Sequence, residues 1–257
     1  MKSFFRKINW FLSSQVGFDF RLFAKFFMGL PRYIINLIDF SSKYDGKIKI
    51  MPCLNDWYSE GGSTKSEYFW QDLYVAKKVF EYSPIKHVDI GSRVDSFVAH
   101  VASFREIEIF DIRPIHAEIP GVLFKKSDLM SVSGNNDYCD SLSCLHALEH
   151  FGLGRYGDPI NVDGHKQGLT NMVSILKRGG VLYLSVPTGF ERVEFNANRV
   201  FNPISLNEFA KSLNLSLLEL AWIDPITKIN ISKDLNADLN MLANKNYMLA
   251  IFTFIKR

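Results

Sequence analysis

The sequence predicts an α/β fold in which a doubly wound, mostly parallel sheet lies between layers of helices. Two observations predict it. From residue 85 onward, short apolar runs typical of buried strands alternate with amphipathic runs typical of helices. The segments between successive strands are also long enough for the right-handed crossovers that join parallel strands.

The elements follow in order after a Gly- and Ser-rich loop at 52–66. A helix is predicted from Ser66 to Tyr82, where Pro84 ends it. Strands are predicted at 85–90, 107–110, 122–124, 138–145, 181–186, 215–222 and 247–255, and helices at 94–104, 165–176 and 205–213.

Composition favours a soluble globular protein, since 47% of the 257 residues are hydrophobic and 22% are charged. The three cysteines form no CxxC pair, so neither a disulfide framework nor a zinc site is predicted, and we predict no metal. A reducing, cytoplasmic location fits this cysteine usage.

Residues 1–50 differ from the remainder, 51–257, in charge and aromatic content. They carry nine Lys/Arg and three Asp/Glu, a net charge of +6, whereas the remainder carries −3. We expect a helical extension that either packs its aromatic rings on the main domain or on a second subunit, giving a homo-oligomer, or lies peripherally on an anionic membrane, at its inner face. Nucleic acid is not expected, because no basic stripe extends this surface.

Ligands of such sheets bind outside the carboxyl ends of the strands, so the residues there are the candidates. Asp89, Gly91 and Ser92 form the turn after the first strand, and Asp111 ends the second, 22 residues beyond Asp89. That interval is close to the roughly 20 residues expected for a carboxylate that binds ribose hydroxyls. Asp128-Leu129 after the third strand would border an adenine ring or, alternatively, Asp128 would cap a helix that follows.

The order of these motifs resembles the class I S-adenosylmethionine-dependent methyltransferase superfamily. Leu148-Glu149-His150 resembles the ending of that superfamily's fourth strand, and Gly179-Gly180 the turn into its fifth. The resemblance implies a three-layer αβα Rossmann-like fold with a seven-stranded sheet whose last strand is antiparallel. It also implies that S-adenosylmethionine is the cofactor, held by Asp89, Gly91, Ser92, Asp111, Asp128 and Leu129.

More closely, the chain resembles the methyltransferase-like domain of unknown function family 268. The stretches that carry this resemblance are 87–93, 146–159 and 195–201. The family is associated with surface-polysaccharide biosynthesis, which implies a sugar or glycan acceptor. Arg93, where a second glycine would be expected, favours an alternative: a catalytically inactive binding or scaffold protein in glycan assembly.

Three residues after the fourth strand are candidate catalytic groups. His146 and His150 are four apart, so on a helix they share a face with Glu149 nearby, and either histidine would serve as a general base. The structural alternative is that each braces the loop. The order is not that of a His-Glu-x-x-His metal site.

The loops that follow supply candidate substrate-binding residues. Arginine forms bidentate bonds to phosphate or carboxylate, although Arg155 and Arg199 would equally brace a loop. Three glycines at 152, 154 and 157 predict a flexible lid. The substrate-binding candidates are Arg155, Tyr156, Asp158, Asn198 and Arg199.

Overall fold

A computed structural model describes residues 8–58, 61–62, 64–131, 136–224 and 229–257. The chain forms two compact units that divide after Ser63. The first contains helix α1 (Phe20–Ser41), whose N-cap Asp19 accepts a hydrogen bond from the Arg21 amide at 2.7 Å. This helix has 22 residues and continues through Pro31. Across the described ranges, every helix is too short or too polar to span a membrane.

In its described residues, the second unit contains five further α-helices and ten strands. The helices are α2 (Glu67–Tyr82), α3 (Ala99–Ala102), α4 (Gly164–Ile175), α5 (Pro203–Ser212) and α6 (Leu235–Ala243). The strands are β1 (His87–Ile90), β2 (Ile107–Asp111), β3 (Val122–Lys126), β4 (Cys139–Leu145), β5 (Leu176–Thr188), β6 (Arg192–Glu194), β7 (Asn198–Val200), β8 (Leu215–Ile223), β9 (Ile229–Ile231) and β10 (Met248–Lys256). A short π-helical turn, Val94–Val98, precedes α3.

Eight strands form one sheet in the order β3-β2-β1-β4-β5-β10-β8-β9. Strands β1 to β5 run parallel, and β10 lies antiparallel between β5 and β8. The predicted mostly parallel sheet with an antiparallel last strand is confirmed. The sheet has eight strands rather than seven, because β9 folds back on β8 as an additional edge strand. Strands β6 and β7 pair separately.

The core lies on both faces of this sheet, as the alternation along β10 illustrates. Phe252 and Phe254 pack in the cluster that includes residues of α4, α5 and α6. Leu249 and Ile251 pack in the other cluster, which includes residues of α2 and α3. Successive side chains of a strand point to opposite faces, so one strand supplies both cores. The predicted three-layer αβα architecture is confirmed.

Candidate functional site

A cavity of about 640 Å³ opens at the carboxyl ends of β1 to β4. Its size lies within the 300–1,000 Å³ typical of small-molecule sites. Its wall includes the candidates Gly91, Ser92, Asp111, Asp128, Leu129, His146, His150, Arg155, Tyr156 and Asp158. The topology therefore brings residues from four strand ends to one place, whereas Asp89, Glu149, Asn198 and Arg199 are not part of the wall.

The turn after β1 requires glycine at position 91. Gly91 has a φ of +72°, and a Cβ there would lie 3.0 Å from the Cβ of Ala147. Its amide donates to the Phe110 carbonyl at 3.0 Å, which ties the turn to the end of β2. The backbone of the turn is therefore exposed to the cavity without a side chain in front of it.

Asp89 supports this turn from the interior. It is fully buried, and it accepts hydrogen bonds from the Ser92 amide (3.0 Å), the Ser92 hydroxyl (2.8 Å) and the Ser143 hydroxyl (2.5 Å). Burial raises the pKa of Asp89 to about 7, against the opposing effect of these hydrogen bonds. We predicted a cofactor contact for Asp89, but its contacts make it a positioning residue for Ser92.

Asp111 lies at the cavity wall with both carboxylate oxygens bonded to Arg113. Arg113 Nε donates to Oδ1 at 3.0 Å and Nη2 to Oδ2 at 2.6 Å, while the Arg113 amide donates to Oδ1 at 2.8 Å. The guanidinium carbon also lies 4.5 Å from the centre of the Tyr156 ring. Sequence reasoning missed Arg113, although an arginine two residues beyond a strand-end acid was a visible signal.

Asp128 and Leu129 follow β3, the strand beside β2. Asp128 Oδ1 accepts from the Met130 amide at 2.9 Å. Residues 129–131 form a turn here rather than the helix that the capping alternative predicted. Leu129 is 2% exposed, and its carbonyl accepts from the Asn171 side chain at 2.8 Å. Both residues border the cavity, but each is also part of the local turn.

His146 lies between two carboxylates at the end of β4. Its Nδ1 is 2.8 Å from Oε1 of buried Glu149, and its Nε2 is 3.3 Å from Oε1 of Glu67, an ion-pair distance outside hydrogen-bond geometry. Burial alone would lower the pKa of His146, but the two carboxylates outweigh it and raise the pKa to about 9. The ring of Tyr68 lies 4.5 Å away, centre to centre. His146 is therefore an imidazolium at neutral pH.

His150 has the opposite electrostatics. Its Nδ1 donates to the Ala197 carbonyl at 2.7 Å, and its Nε2 lies 3.7 Å from Glu149 Oε1. Burial lowers the pKa of His150 below its ordinary value, and the charge of Arg155 acts in the same direction. A neutral imidazole whose Nδ1 is the donor leaves its Nε2 lone pair available to accept a proton.

The loop at 152–158 is braced, contrary to the predicted flexible lid. Asp158 Oδ2 accepts from the amides of Gly152 (2.8 Å) and Gly154 (3.1 Å), and Oδ1 accepts from the Tyr156 amide at 3.1 Å. The carboxylate of Asp158 is therefore occupied by the loop's own backbone. Arg155 donates to the Ala197 carbonyl at 2.8 Å, which joins this loop to the β6–β7 turn.

Arg199 and Asn198 lie on β7, behind the cavity wall. Arg199 is 6% exposed and donates to the carbonyls of Phe151 (2.5 Å), Glu149 (3.4 Å) and Val162 (3.4 Å). Asn198 donates to the Arg199 carbonyl at 3.2 Å. These contacts favour the loop-bracing interpretation over substrate binding, because both terminal nitrogens of Arg199 and the side-chain nitrogen of Asn198 already donate to carbonyls of the chain.

Three wall residues that no sequence motif indicated come from the start of α2. They are Tyr68, Gln71 and Asp72. Arg93, also on the wall, bonds Asp95 through Nη2 at 2.7 Å, and its side chain is 63% exposed. In the part of the chain that the structure describes, no three His, Cys, Asp or Glu side chains are arranged to hold a metal ion.

Residues 125–228 match the sequence profile of the family described as "Caenorhabditis protein of unknown function, DUF268". The predicted resemblance to DUF268 is confirmed. The DUF268 match includes His146, His150, Arg155 and Arg199, and therefore the catalytic and loop candidates after β4. It does not include the turn at Gly91 or Asp111. No curated protein matches the chain.

Solved structures of similar fold include methyltransferases and a cyclase. The N1-methyltransferase for 1,6-didemethyltoxoflavin from Burkholderia thailandensis, solved with S-adenosylhomocysteine, is 13% identical with a TM-score of 0.50, covering 89% of this chain and 90% of that one. A SAM-dependent methyltransferase from Thermotoga maritima is 15% identical with a TM-score of 0.51, covering 74% and 91%. The [4+2]-cyclase SpnF is 13% identical with a TM-score of 0.53, covering 76% and 85%. At these low identities the structural similarity shows a methyltransferase-like fold alone. The reaction has to be argued from the residues of the site.

Proposed function

We propose that the protein is an S-adenosylmethionine-dependent methyltransferase. One observation carries the proposal: the Gly91 turn, Asp111 and Asp128-Leu129, chosen from sequence because they end adjacent parallel strands, all border one cavity. A nucleoside cofactor needs such a set, with free backbone at a turn and carboxylates at the neighbouring strand ends.

The residues present fit the cofactor. Gly91 leaves the turn open, and Asp111 supplies oxygens that would accept from ribose hydroxyls. Asp128 and Leu129 would border the base. S-adenosylmethionine would supply an activated methyl group on a sulfonium, so the chain itself must orient the acceptor and remove its proton.

His150 is the general base in this proposal, and His146 is not. His146 is protonated at neutral pH, with its pKa raised to about 9, and therefore cannot accept a proton there. His150 is neutral and donates Nδ1–H to the Ala197 carbonyl, which leaves Nε2 to take the proton of an acceptor hydroxyl. Glu149 holds His146 in place and is a positioning residue.

We further propose a sugar or glycan hydroxyl as the acceptor, with the reaction in the cytoplasm. The resemblance to family 268 supports the glycan. The wall beside His150 also offers an aromatic ring, Tyr156, which is 37% exposed, next to the guanidinium of Arg155. An aromatic face beside polar donors suits a ring that has both apolar and hydroxyl surfaces.

The test is isothermal titration calorimetry with S-adenosylhomocysteine. We expect binding, and we expect Asp111→Ala to weaken it by roughly 1.5–3 kcal/mol, the value of hydrogen bonds to a charged acceptor. The matched control is Asp163→Ala, an acid outside the cavity wall, which should leave affinity unchanged. No heat of binding to the wild-type protein, or equal affinity for both variants, would reject the assignment.

One observation favours a second candidate, a methyltransferase-like protein without catalysis. Arg113 occupies both oxygens of Asp111, so the carboxylate is engaged within the chain. If that pairing persists, the cavity would not hold a ribose. Absence of S-adenosylhomocysteine binding, together with a stable complex with another glycan-assembly enzyme, would favour this candidate.

A further inference from the structure

Helix α1 carries a surface that the enzymatic proposal does not use. Its polar side chains Arg21, Lys25, Arg32, Asn36 and Asp39 fall on one stripe about 60° wide, at 100° per residue. Ser41 aside, the other positions are apolar or small. A long helix with Phe and Leu on its apolar face and Arg and Lys on its polar face is characteristic of helices that lie in a membrane interface.

The apolar part of α1 is uncovered. Ten of its large apolar side chains are between 43% and 66% exposed, among them Phe23, Phe27 and Ile38, and its only buried residue is Gly29. Phe23 and Phe27 contact each other edge to face, with ring centres 5.0 Å apart. Contiguous exposed apolar surface on this scale indicates an apolar partner.

The charges around this surface indicate which partner. Residues 1–50 carry a net charge of +6. On the polar stripe, the Arg21 side chain is 79% exposed, while Arg32 stacks 3.5 Å above the ring of Trp57. Trp57 and Trp10 are themselves 69% and 62% exposed. Exposed tryptophan beside arginine and lysine is the composition of a membrane–water interface.

We propose that α1 binds the surface of an anionic phospholipid membrane. Its aromatic and aliphatic side chains would lie among the acyl chains, and the arginine and lysine side chains of its polar stripe would lie at the phosphates. A second copy of the chain fits less well, because it would bring another segment of net charge +6 alongside the first. The proposal is independent of the reaction at the cavity.

The test is vesicle flotation with the full-length protein. Vesicles of phosphatidylcholine mixed with phosphatidylglycerol should carry the protein upward, and vesicles of phosphatidylcholine alone should carry much less. Binding should weaken as salt is raised, because Arg21, the most exposed cation of the stripe, is screened by ions in solution.

Two variants separate the apolar and the electrostatic contributions. Phe27→Ser should weaken partitioning about tenfold, since one buried aromatic ring is lost. Its matched control is Phe80→Ser, which removes a ring that is 63% exposed on α2 and should have no effect. Arg21→Gln with Lys25→Gln keeps the apolar surface and should weaken binding by about fivefold or more. This double variant remains informative if Phe27→Ser disturbs the fold.

Three results would overturn the proposal. In the first, the wild-type protein stays out of the vesicle fraction. In the second, it floats equally with both kinds of vesicle. In the third, sedimentation in the absence of lipid shows a dimer that Phe27→Ser disperses, in which case a second copy covers the face.

Discussion

Arg113 holds Asp111 through two side-chain hydrogen bonds of 3.0 and 2.6 Å, at the strand end where a ribose would be bound. The Arg113 side chain is 41% exposed and can leave, whereas the Asp111 side chain is 9% exposed and cannot. Arg113 therefore competes with any ligand that needs the Asp111 carboxylate.

Replacing the arginine should release that carboxylate. We expect Arg113→Gln to tighten S-adenosylhomocysteine binding about fivefold, since a half-exposed ion pair contributes about 1 kcal/mol. Arg192→Gln is the control, because Arg192 forms a similar pair with Glu194 outside the cavity wall. Calorimetry measures the S-adenosylhomocysteine affinity of both variants. Weaker binding by Arg113→Gln would mean that the guanidinium helps to bind the ligand.

The Gly91 turn should not tolerate a side chain. Gly91→Ala and Gly179→Ala both place alanine at positive φ, +72° and +77°, which costs about 1–2 kcal/mol each. Only position 91 adds a close contact, 3.0 Å to the Ala147 Cβ, whereas nothing lies within 4 Å at position 179. Urea unfolding should therefore show a larger loss for Gly91→Ala, by roughly 1 kcal/mol. Equal losses would mean that the contact with Ala147 is readily relieved.

Arg199 should be a stability residue. Arg199→Lys is expected to lower the free energy of unfolding by about 2 kcal/mol, because one ammonium cannot replace a planar guanidinium that serves several carbonyls. Arg178→Lys, at an exposed position of β5, should change little. If thermal or urea unfolding gave the two variants the same stability, the bracing role would be disproved.

The His146 cluster should make stability depend on pH. The pKa of His146 is raised in the folded protein, so its contribution is fully present below about pH 6.5 and is lost as pH rises through about 9. The loss should be on the order of 3 kcal/mol. His146→Asn, which tolerates the φ of +52°, should be less stable at low pH and lack this component.

Urea unfolding at both ends of this range provides the measurement. The control is His100→Asn, at an exposed position of α3, whose pH dependence should match that of the wild-type protein. A wild-type profile identical to that of His146→Asn would show that the two carboxylates do not hold a charged imidazole.

Local signals predicted the strand ends well. The turn at Gly91 and the acid Asp111 could be predicted because each directly follows or ends an apolar strand segment, a pattern that is visible in neighbouring residues. Asp128 differs, because its carboxylate closes a turn rather than the helix that one of two alternatives predicted. Helix α6 was missed although Asp234 caps it through the amides of Asn236 and Ala237, a signal visible in the sequence.

The sequence did not indicate which side chains contact each other across the fold. Glu67 reaches His146 from the start of α2, and Arg199 reaches the Phe151 carbonyl from β7. Neither pairing leaves a periodic pattern, because the residues are 79 and 48 positions apart. The opposite pKa shifts of His146 and His150 follow from those partners, so two histidines that look alike in sequence have different chemistry.

A crystal structure of the protein with S-adenosylhomocysteine tests the proposed cofactor site most directly. We expect the nucleoside in the cavity, with its ribose hydroxyls bonded to the Asp111 carboxylate and Arg113 displaced from at least one oxygen. A ligand bound elsewhere, or a crevice in which Arg113 still holds both oxygens while soaked crystals show no ligand, would contradict it.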